Sequence, residues 1–414
     1  MAVFYNLFVQ LFPIFIRVAS LWNPKARLWI NGRKNQFERL SLAVASNNKP
    51  IVWFHSASLG EFEQGRPVIE AIKNKYPHYR ILLTFFSPSG FEVRKNYAGA
   101  DMVFYLPMDS KKNAKRFLEI TQPKLAFFIK YETWYHYLEG LKQLQIPRIL
   151  ISGILLEKQF NFRPWGEFMK KIYASFTHIF AQSDGVLTLL KENKIATSYS
   201  YGGDTRFDRV HELSLQDFQH NSLSSFTAEG PILVAGSTWK EDEEMIASLL
   251  ETEPNIKLIL APHEVDNKHI AHLQKLFSKS ILFTEIEQTQ QIQDYQVVII
   301  DCIGLLSKLY RYATFCYVGG GFNRAGIHNI LEAAAYGKTV WFGPNYEKAN
   351  EAKEMLEKKL AFSFQTKEEL FGFAKHQIND QHLAEKNAAS FTYVIENTGA
   401  TKRILDFLED RNLL

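Results

Sequence analysis

The sequence predicts an α/β protein built as two doubly wound halves, and three observations predict it. Short apolar runs alternate with longer stretches of helical periodicity along most of the chain, the pattern of βαβ units with parallel strands. A polar segment at 216–230 separates two such regimes. At 414 residues the chain is longer than one hydrophobic core ordinarily serves.

Composition narrows the class. Hydrophobic residues make up 46% and charged residues 22%, as in folded globular proteins. The net charge of +4 is too small to argue for a nucleic-acid partner. The two cysteines, Cys302 and Cys316, sit in apolar runs. They read as buried thiols of a reducing compartment, without metal-ligand spacing.

The organisation is read as follows. Residues 1–40 form an N-terminal helix with a basic flank, and 41–206 a Rossmann-like domain. Residues 207–230 form a linker, 231–395 a second Rossmann-like domain, and 396–414 a last helix that packs back on the first domain. The stretch 3–22 is apolar and aromatic but interrupted by Pro13 and Arg17, which makes it marginal as a spanning helix. Lys25, Arg27, Arg33, Lys34 and Arg39 follow. An aromatic apolar helix followed by cations suits an anionic leaflet, with the charges at phosphate level.

In the first half, strands are expected at 50–55, 80–85, 102–106, 125–129, 148–152 and 178–181. The first runs into Ser56-Ala57-Ser58-Leu59-Gly60-Glu61, with Ser58 or Ser56 as helix cap and Glu61 in or just before the first helical turn. A carboxylate there is either a dipole-compensating acid or a functional group at the C-terminal edge of a parallel sheet, where such sheets place ligands. In the second half, strands are expected at 232–235, 256–261, 281–284, 297–300, 315–318 and 339–342. Gly236-Ser237-Thr238 ends the first of these, with an acidic helix start after it. Gly319-Gly320-Gly321 ends the fifth, and a helix is expected from Asn329 to Tyr336. A strand, a glycine turn and a helix N-terminus make an anion site. His328, Asn329 and Glu332 have the spacing to face one ligand. Asp301 after a strand reads as a cap, and the scattered His211, His220, His269 and His272 as solvated.

Two such halves facing a cleft suit a glycosyl transfer. One half holds a nucleotide leaving group at its glycine turn. The other offers Glu61 as general base to an acceptor hydroxyl. No Asp-x-Asp element follows a strand, so a divalent-metal donor site is not indicated, and no cofactor is expected.

Five motifs recur in a specific order: His55-Ser56-Ala57-Ser58-Leu59-Gly60-Glu61, Ser87-Pro88-Ser89-Gly90, Glu132-Thr133-Trp134, Gly236-Ser237-Thr238, and Gly319 to Glu332 with Phe342-Gly343-Pro344-Asn345. Together they resemble the 3-deoxy-D-manno-octulosonic acid (Kdo) transferases, glycosyltransferases that modify lipid A in Gram-negative bacteria. The resemblance implies a GT-B fold, a CMP-Kdo donor, a lipid A precursor as acceptor, inversion at the anomeric centre, and the cytoplasmic face of the inner membrane. It implies Glu61 as catalytic base, and Ser58 and Gly60 in the loop that shapes the donor-sugar pocket. Ser237, Thr238, Gly320, Gly321, His328, Asn329 and Glu332 fall on the nucleotide side. Arg206 falls where a basic residue near the donor is usual, and the donor's carboxylate and phosphate both need cations.

Three positions depart from the family pattern. Lys130 stands where an acid is common, leaving Glu132 as the surviving one of a pair with acceptor or supporting roles. In Ala261-Pro262-His263 the arginine that the family has after the proline is missing, and His263 remains a candidate on the nucleotide side. Trp239 follows the Ser-Thr pair where the family often has a histidine. Two other readings share part of the pattern: a GT-B transferase using a UDP-sugar, and a non-catalytic membrane-peripheral protein that binds nucleotide or lipid.

Overall fold

A computed structural model describes residues 1–414. By internal packing the chain divides into two units, Met1–Arg209 with Thr398–Leu414, and Val210–Asn397. Each is built on one seven-stranded parallel sheet.

The first sheet uses β1 (Ile51–Ser56), β2 (Arg80–Phe85), β3 (Met102–Tyr105), β4 (Leu125–Ile129), β5 (Arg148–Gly153), β6 (His178–Ala181) and β7 (Ser198–Tyr201), in the order β3-β2-β1-β4-β5-β6-β7. Its central strands are covered on both faces. Val52, Trp53 and Phe54 are fully buried, so β1 is a continuous apolar run from Ile51 to Phe54 rather than alternating. The β7 strand was not expected. Its Ser-Tyr-Ser-Tyr sequence lies on the edge, where only one side is paired and burial is incomplete, so it carries no core signal.

The second sheet uses β8 (Ile232–Thr238), β9 (Lys257–Pro262), β10 (Ser280–Leu282), β11 (Val297–Ile299), β12 (Phe315–Val318), β13 (Val340–Phe342) and β14 (Ala361–Ser363), in the order β10-β11-β9-β8-β12-β13-β14. The three-residue edge strand β14 and the helix Lys367–Ile378 were also not expected. The stretch read as a linker is not bare. It contains the end of the helix Thr205–Leu215 and the helix Asn221–Phe226, whose Leu223 and Phe226 are fully buried.

Both sheets have a point where chain order reverses direction, between β1 and β4 in the first and between β8 and β12 in the second. Crossover helices leave to opposite faces there, which opens a crevice at the strand C-terminal ends.

The last helix, Ala400–Asp410, belongs to the first unit. Ile404 and Leu408 are fully buried in the core around β1 and β2. The Asp208 carboxylate accepts the Gly399 and Thr401 N–H groups at 2.5 and 2.6 Å, and Tyr76 donates its hydroxyl to Glu409 at 2.6 Å.

At the other end, α1 (Ala2–Ala19) runs unbroken through Pro13. It is the one helix long and apolar enough to cross a membrane, by length and composition. One face is held by the first unit. Val9 is buried, Phe12 meets Trp29 and Phe86 edge-on or tilted, Tyr5 donates its hydroxyl to Asp109, and Asn6 Oδ1 lies 2.6 Å from His136 Nε2. The opposite face leaves Val3, Phe4, Leu7, Phe8, Leu11, Ile14, Phe15 and Val18 exposed.

The basic flank is less free than its sequence suggests. After α2 (Pro24–Gly32), Arg33 lies over Trp29 at 3.8 Å and donates to the carbonyls of Phe86 and Leu106 at 2.9 and 3.2 Å. Burial pulls its pKa down to about 9. Arg27 donates to the carbonyls of Ser20 and Leu21, at the end of α1, and Arg39 to that of Gly32 at 2.5 Å. Three of the five expected leaflet cations therefore hold backbone carbonyls together.

Candidate active site at the strand ends

At the β1/β4 reversal the chain leaves β1 through Ser56 and enters α4 (Leu59–Lys75). Ser58 is the cap residue, with extended backbone, and Glu61 is the third helical residue. Glu61 Oε2 accepts the Ser58 N–H at 3.1 Å and also the Ser58 hydroxyl. This reciprocal arrangement is a capping box. It satisfies a helix-end donor and fixes the carboxylate at the crevice. Glu61 Oε1 makes no hydrogen bond within the protein, and the residue is half-buried. One oxygen is thus structural and the other is open for chemistry. Gly60 beside it is exposed. Ser56 is not the cap. Its hydroxyl, and Gln64 Oε1 one turn into α4, are buried without a protein partner. Such groups are rare in folded proteins and mark where a ligand or water completes the bonding.

The β4 side of the crevice holds Lys130 and Glu132. Lys130 has φ +73°, a left-handed conformation uncommon for a side-chain-bearing residue, and strain of this kind collects at functional sites. Its ammonium lies 4.9 Å from the Tyr131 ring centroid and forms no ion pair with Glu61 or Glu132. Glu132 is almost fully buried. Its Oε2 accepts the Trp134 indole N–H and lies 3.2 Å from His55 Nε2, off the line of a well-formed hydrogen bond. His55 Nδ1 is 2.9 Å from Thr84 Oγ1, which also accepts the Trp53 indole N–H at 2.8 Å. This buried polar chain across β2, β1 and β4 positions Glu132 as a support. His55 and Thr84 were missed because single polar residues inside apolar strands carry no periodic signal.

Arg206 also lies in the first unit. Its guanidinium donates to Asp204 Oδ2 at 2.7 and 2.9 Å, and its N–H to Oδ1 at 2.9 Å. A cation fixed in this way reaches its position without further ordering.

At the β8/β12 reversal the second unit gathers the remaining candidates. Ser237 bulges from the end of β8 with φ +54°, and its half-buried hydroxyl makes no hydrogen bond within the protein. Thr238 is fully buried and donates to Glu243 Oε1 at 3.0 Å, while Glu243 Oε2 is 2.8 Å from His269 Nε2. His269 is therefore paired, not solvated. The neighbouring Asp242 accepts the N–H groups of Trp239 at 2.9 Å and Gly320 at 3.1 Å, and the Tyr317 hydroxyl. Burial raises the Asp242 pKa. Both acids are buried: Asp242 ties the turn after β8 to the turn after β12, and Glu243 joins the end of β8 to His269.

The glycine turn differs from its expectation. The helix after it is a single turn, Leu331–Ala334, too short for a substantial dipole. The Gly320 N–H is taken by Asp242. Gly320 has φ +92°, and a Cβ there would lie 2.6 Å from the Gly326 carbonyl. At Gly321 a Cβ would lie 2.5 Å from the backbone of Gly343, in the turn after β13. Both positions require glycine for packing as well as for any ligand. The polar groups that remain are side chains. Asn329 Nδ2 donates to Glu332 Oε1 at 3.3 Å, and Asn329 Oδ1 accepts the Leu331 N–H at 3.3 Å.

Trp239 and His328 lie side by side, each stacked on the His263 ring, at 4.6 and 4.5 Å. Burial, and secondarily the charge of His263, lower the His328 pKa to about 4. Elsewhere in this unit Asp301 accepts from Thr284 as a cap. Cys316 is buried, but Cys302 is only half-buried.

The comparisons bear on this geometry. The model of the family described as 3-deoxy-D-manno-octulosonic-acid transferase (Kdo transferase) matches residues 34–209. A 3-deoxy-D-manno-octulosonic acid transferase of Aquifex aeolicus is 28% identical over 78% of this chain and 84% of its own. That of Haemophilus influenzae is 25% identical over 95% of this chain and 94% of its own. Among solved structures, UDP-GlcNAc 2-epimerase from Neisseria meningitidis, bound to UDP-GlcNAc, superposes with a TM-score of 0.61 at 14% identity. It covers 87% of this chain and 100% of its own. That likeness shows the fold alone: two Rossmann-like units of the GT-B type. The family model over residues 34–209 and the relatives matched along nearly the whole chain support a Kdo transferase, a glycosyltransferase enzyme.

Proposed function

We propose that this enzyme transfers Kdo, with inversion, from CMP-Kdo to a hydroxyl of the lipid A precursor, with Glu61 as the general base. The observation that carries the reading is the split role of the Glu61 carboxylate. Oε2 is fixed by Ser58 and Oε1 is open at the β1/β4 crevice. A base must be held in place and yet free to take a proton.

In this reading Oε1 accepts the acceptor hydroxyl's proton as its oxygen attacks the anomeric carbon, and CMP departs. Ser58 and Gly60 shape the pocket of the donor sugar. Ser237, Thr238, His263, Gly320, Gly321, His328, Asn329 and Glu332 bind the nucleotide side. Arg206 meets the anionic donor. Glu132 acts through His55 and Trp134 as a support, and Lys130 is a cation available to the substrate carboxylate or phosphate. The residues named supply positioning and charge, which is all that a departing phosphate requires.

The exposed face of α1 supports placement at the cytoplasmic face of the inner membrane. Because its other face is held by the first unit, α1 lies in the interface plane instead of crossing it. This brings the enzyme to a lipid acceptor.

Incubation with CMP-Kdo and tetraacylated lipid A precursor, with products resolved by mass, tests the reading. The expected result is precursor heavier by whole Kdo residues. Transfer from a UDP-sugar and none from CMP-Kdo would favour a different GT-B activity.

A further inference from the structure

We propose that Trp239 is a positioning residue that fixes His328 as the tautomer carrying its proton on Nδ1, so that the ring offers an N–H donor to an anionic oxygen of the bound donor. The inference rests on the reading of this turn as the nucleotide side.

The geometry is specific. The Trp239 indole N–H donates to His328 Nε2 at 3.3 Å. An indole nitrogen is a donor only, so Nε2 must be the acceptor and cannot carry a proton in the neutral ring. Burial and the neighbouring His263 keep that ring neutral near pH 7. The single remaining proton therefore sits on Nδ1, which makes no hydrogen bond within the protein. A neutral imidazole with the opposite tautomer would present a lone pair at Nδ1 and repel a phosphate or carboxylate oxygen.

Two further contacts hold the arrangement. Both rings stack on the His263 ring, which sets the plane of both. Behind them Asp242 ties the Trp239 backbone to the Gly320 backbone, so the indole and the imidazole belong to one rigid junction.

The test uses the full-length protein in detergent. Long-range proton–nitrogen NMR of the imidazole nitrogens reads the His328 tautomer, and calorimetry reads CMP affinity. Wild type is expected to show an unprotonated Nε2 and a protonated Nδ1. Trp239→Phe keeps a stacking ring and removes only the N–H. It is expected to shift the tautomer toward Nε2–H and to weaken CMP about three- to tenfold, within the range of one hydrogen bond. Trp239→His, which restores a ring N–H, is expected to recover most of that loss. An Nε2-protonated ring in wild type, or a Trp239→Phe protein with unchanged tautomer and CMP affinity, would overturn the inference. Wild type that binds no CMP would overturn the nucleotide reading of the turn, while the tautomer in the free protein still decides whether Trp239 controls His328.

Discussion

Asp242 Oδ2 accepts the backbone N–H of Gly320 at 3.1 Å. The residues are far apart in sequence, and the bond joins the helix start after β8 to the glycine turn after β12. The same oxygen accepts the Trp239 N–H at 2.9 Å. One buried carboxylate thus sets the spacing between the two turns that flank the β8/β12 crevice.

Removing it leaves two N–H groups and the Tyr317 hydroxyl without an acceptor. Asp242→Ala is expected to lower unfolding stability by about 3 kcal/mol, and CMP affinity with it. Tyr317→Phe, which removes only one donor, is expected to cost about 1 kcal/mol. Urea unfolding of the three proteins checks the order. Equal midpoints for wild type and Asp242→Ala would contradict the role given to this carboxylate.

Asp109 gives a pH-dependent stability. It is fully buried and accepts the His136 and Tyr137 N–H groups, each at 3.1 Å, and the Tyr5 hydroxyl. Burial is the largest influence and raises its pKa from 3.8 to about 6. A carboxyl whose folded pKa is raised holds its proton more tightly when folded. Its contribution therefore falls as pH rises from about 4 to about 6 and is flat above that. The size is up to about 3 kcal/mol. Melting wild type and Asp109→Asn across this range isolates the effect. The stability of wild type relative to the variant is expected to decline with rising pH. A constant difference would rule out the shifted carboxyl.

These two acids show what was legible in the sequence and what was not. The strands around β1 and β8 read clearly, because buried parallel strands are continuous apolar runs. The Ser58–Glu61 turn read clearly too, because its cap and acid are close in the chain. Asp242, Glu243, Asp109 and His55 did not. Each has a partner on another element, such as Tyr5 on α1 for Asp109 and Gly320 for Asp242, and a buried acid at a helix start has the same local sequence as a solvated one. The helix after the glycine turn is shorter than the helix-prone run suggests: it covers only Leu331–Ala334, and the chain then turns to Gly337, whose φ is +63°. Arg33 looked like a leaflet cation because its acceptors, the carbonyls of Phe86 and Leu106, follow distant strands.

The exposed face of α1 predicts interfacial binding. Phe8 and Phe15 are 60% and 66% exposed. Replacing both with Asp is expected to reduce partition into anionic vesicles by at least tenfold, since burying one such ring contributes about 2 kcal/mol. The unfolding midpoint is expected to stay within experimental error of wild type, because neither ring packs in the core. Vesicle sedimentation measures the first and denaturant unfolding the second. Undiminished vesicle binding would place the membrane contact elsewhere.

The most direct measurement concerns Glu61. Glu61→Gln keeps the capping box, because glutamine's amide oxygen accepts the Ser58 N–H, and removes the base. The account predicts an unfolding midpoint and a CMP affinity close to wild type, with Kdo transfer to the lipid A precursor reduced at least about a hundredfold. Turnover within tenfold of wild type in this folded, CMP-binding variant would contradict the assignment of Glu61 as the base.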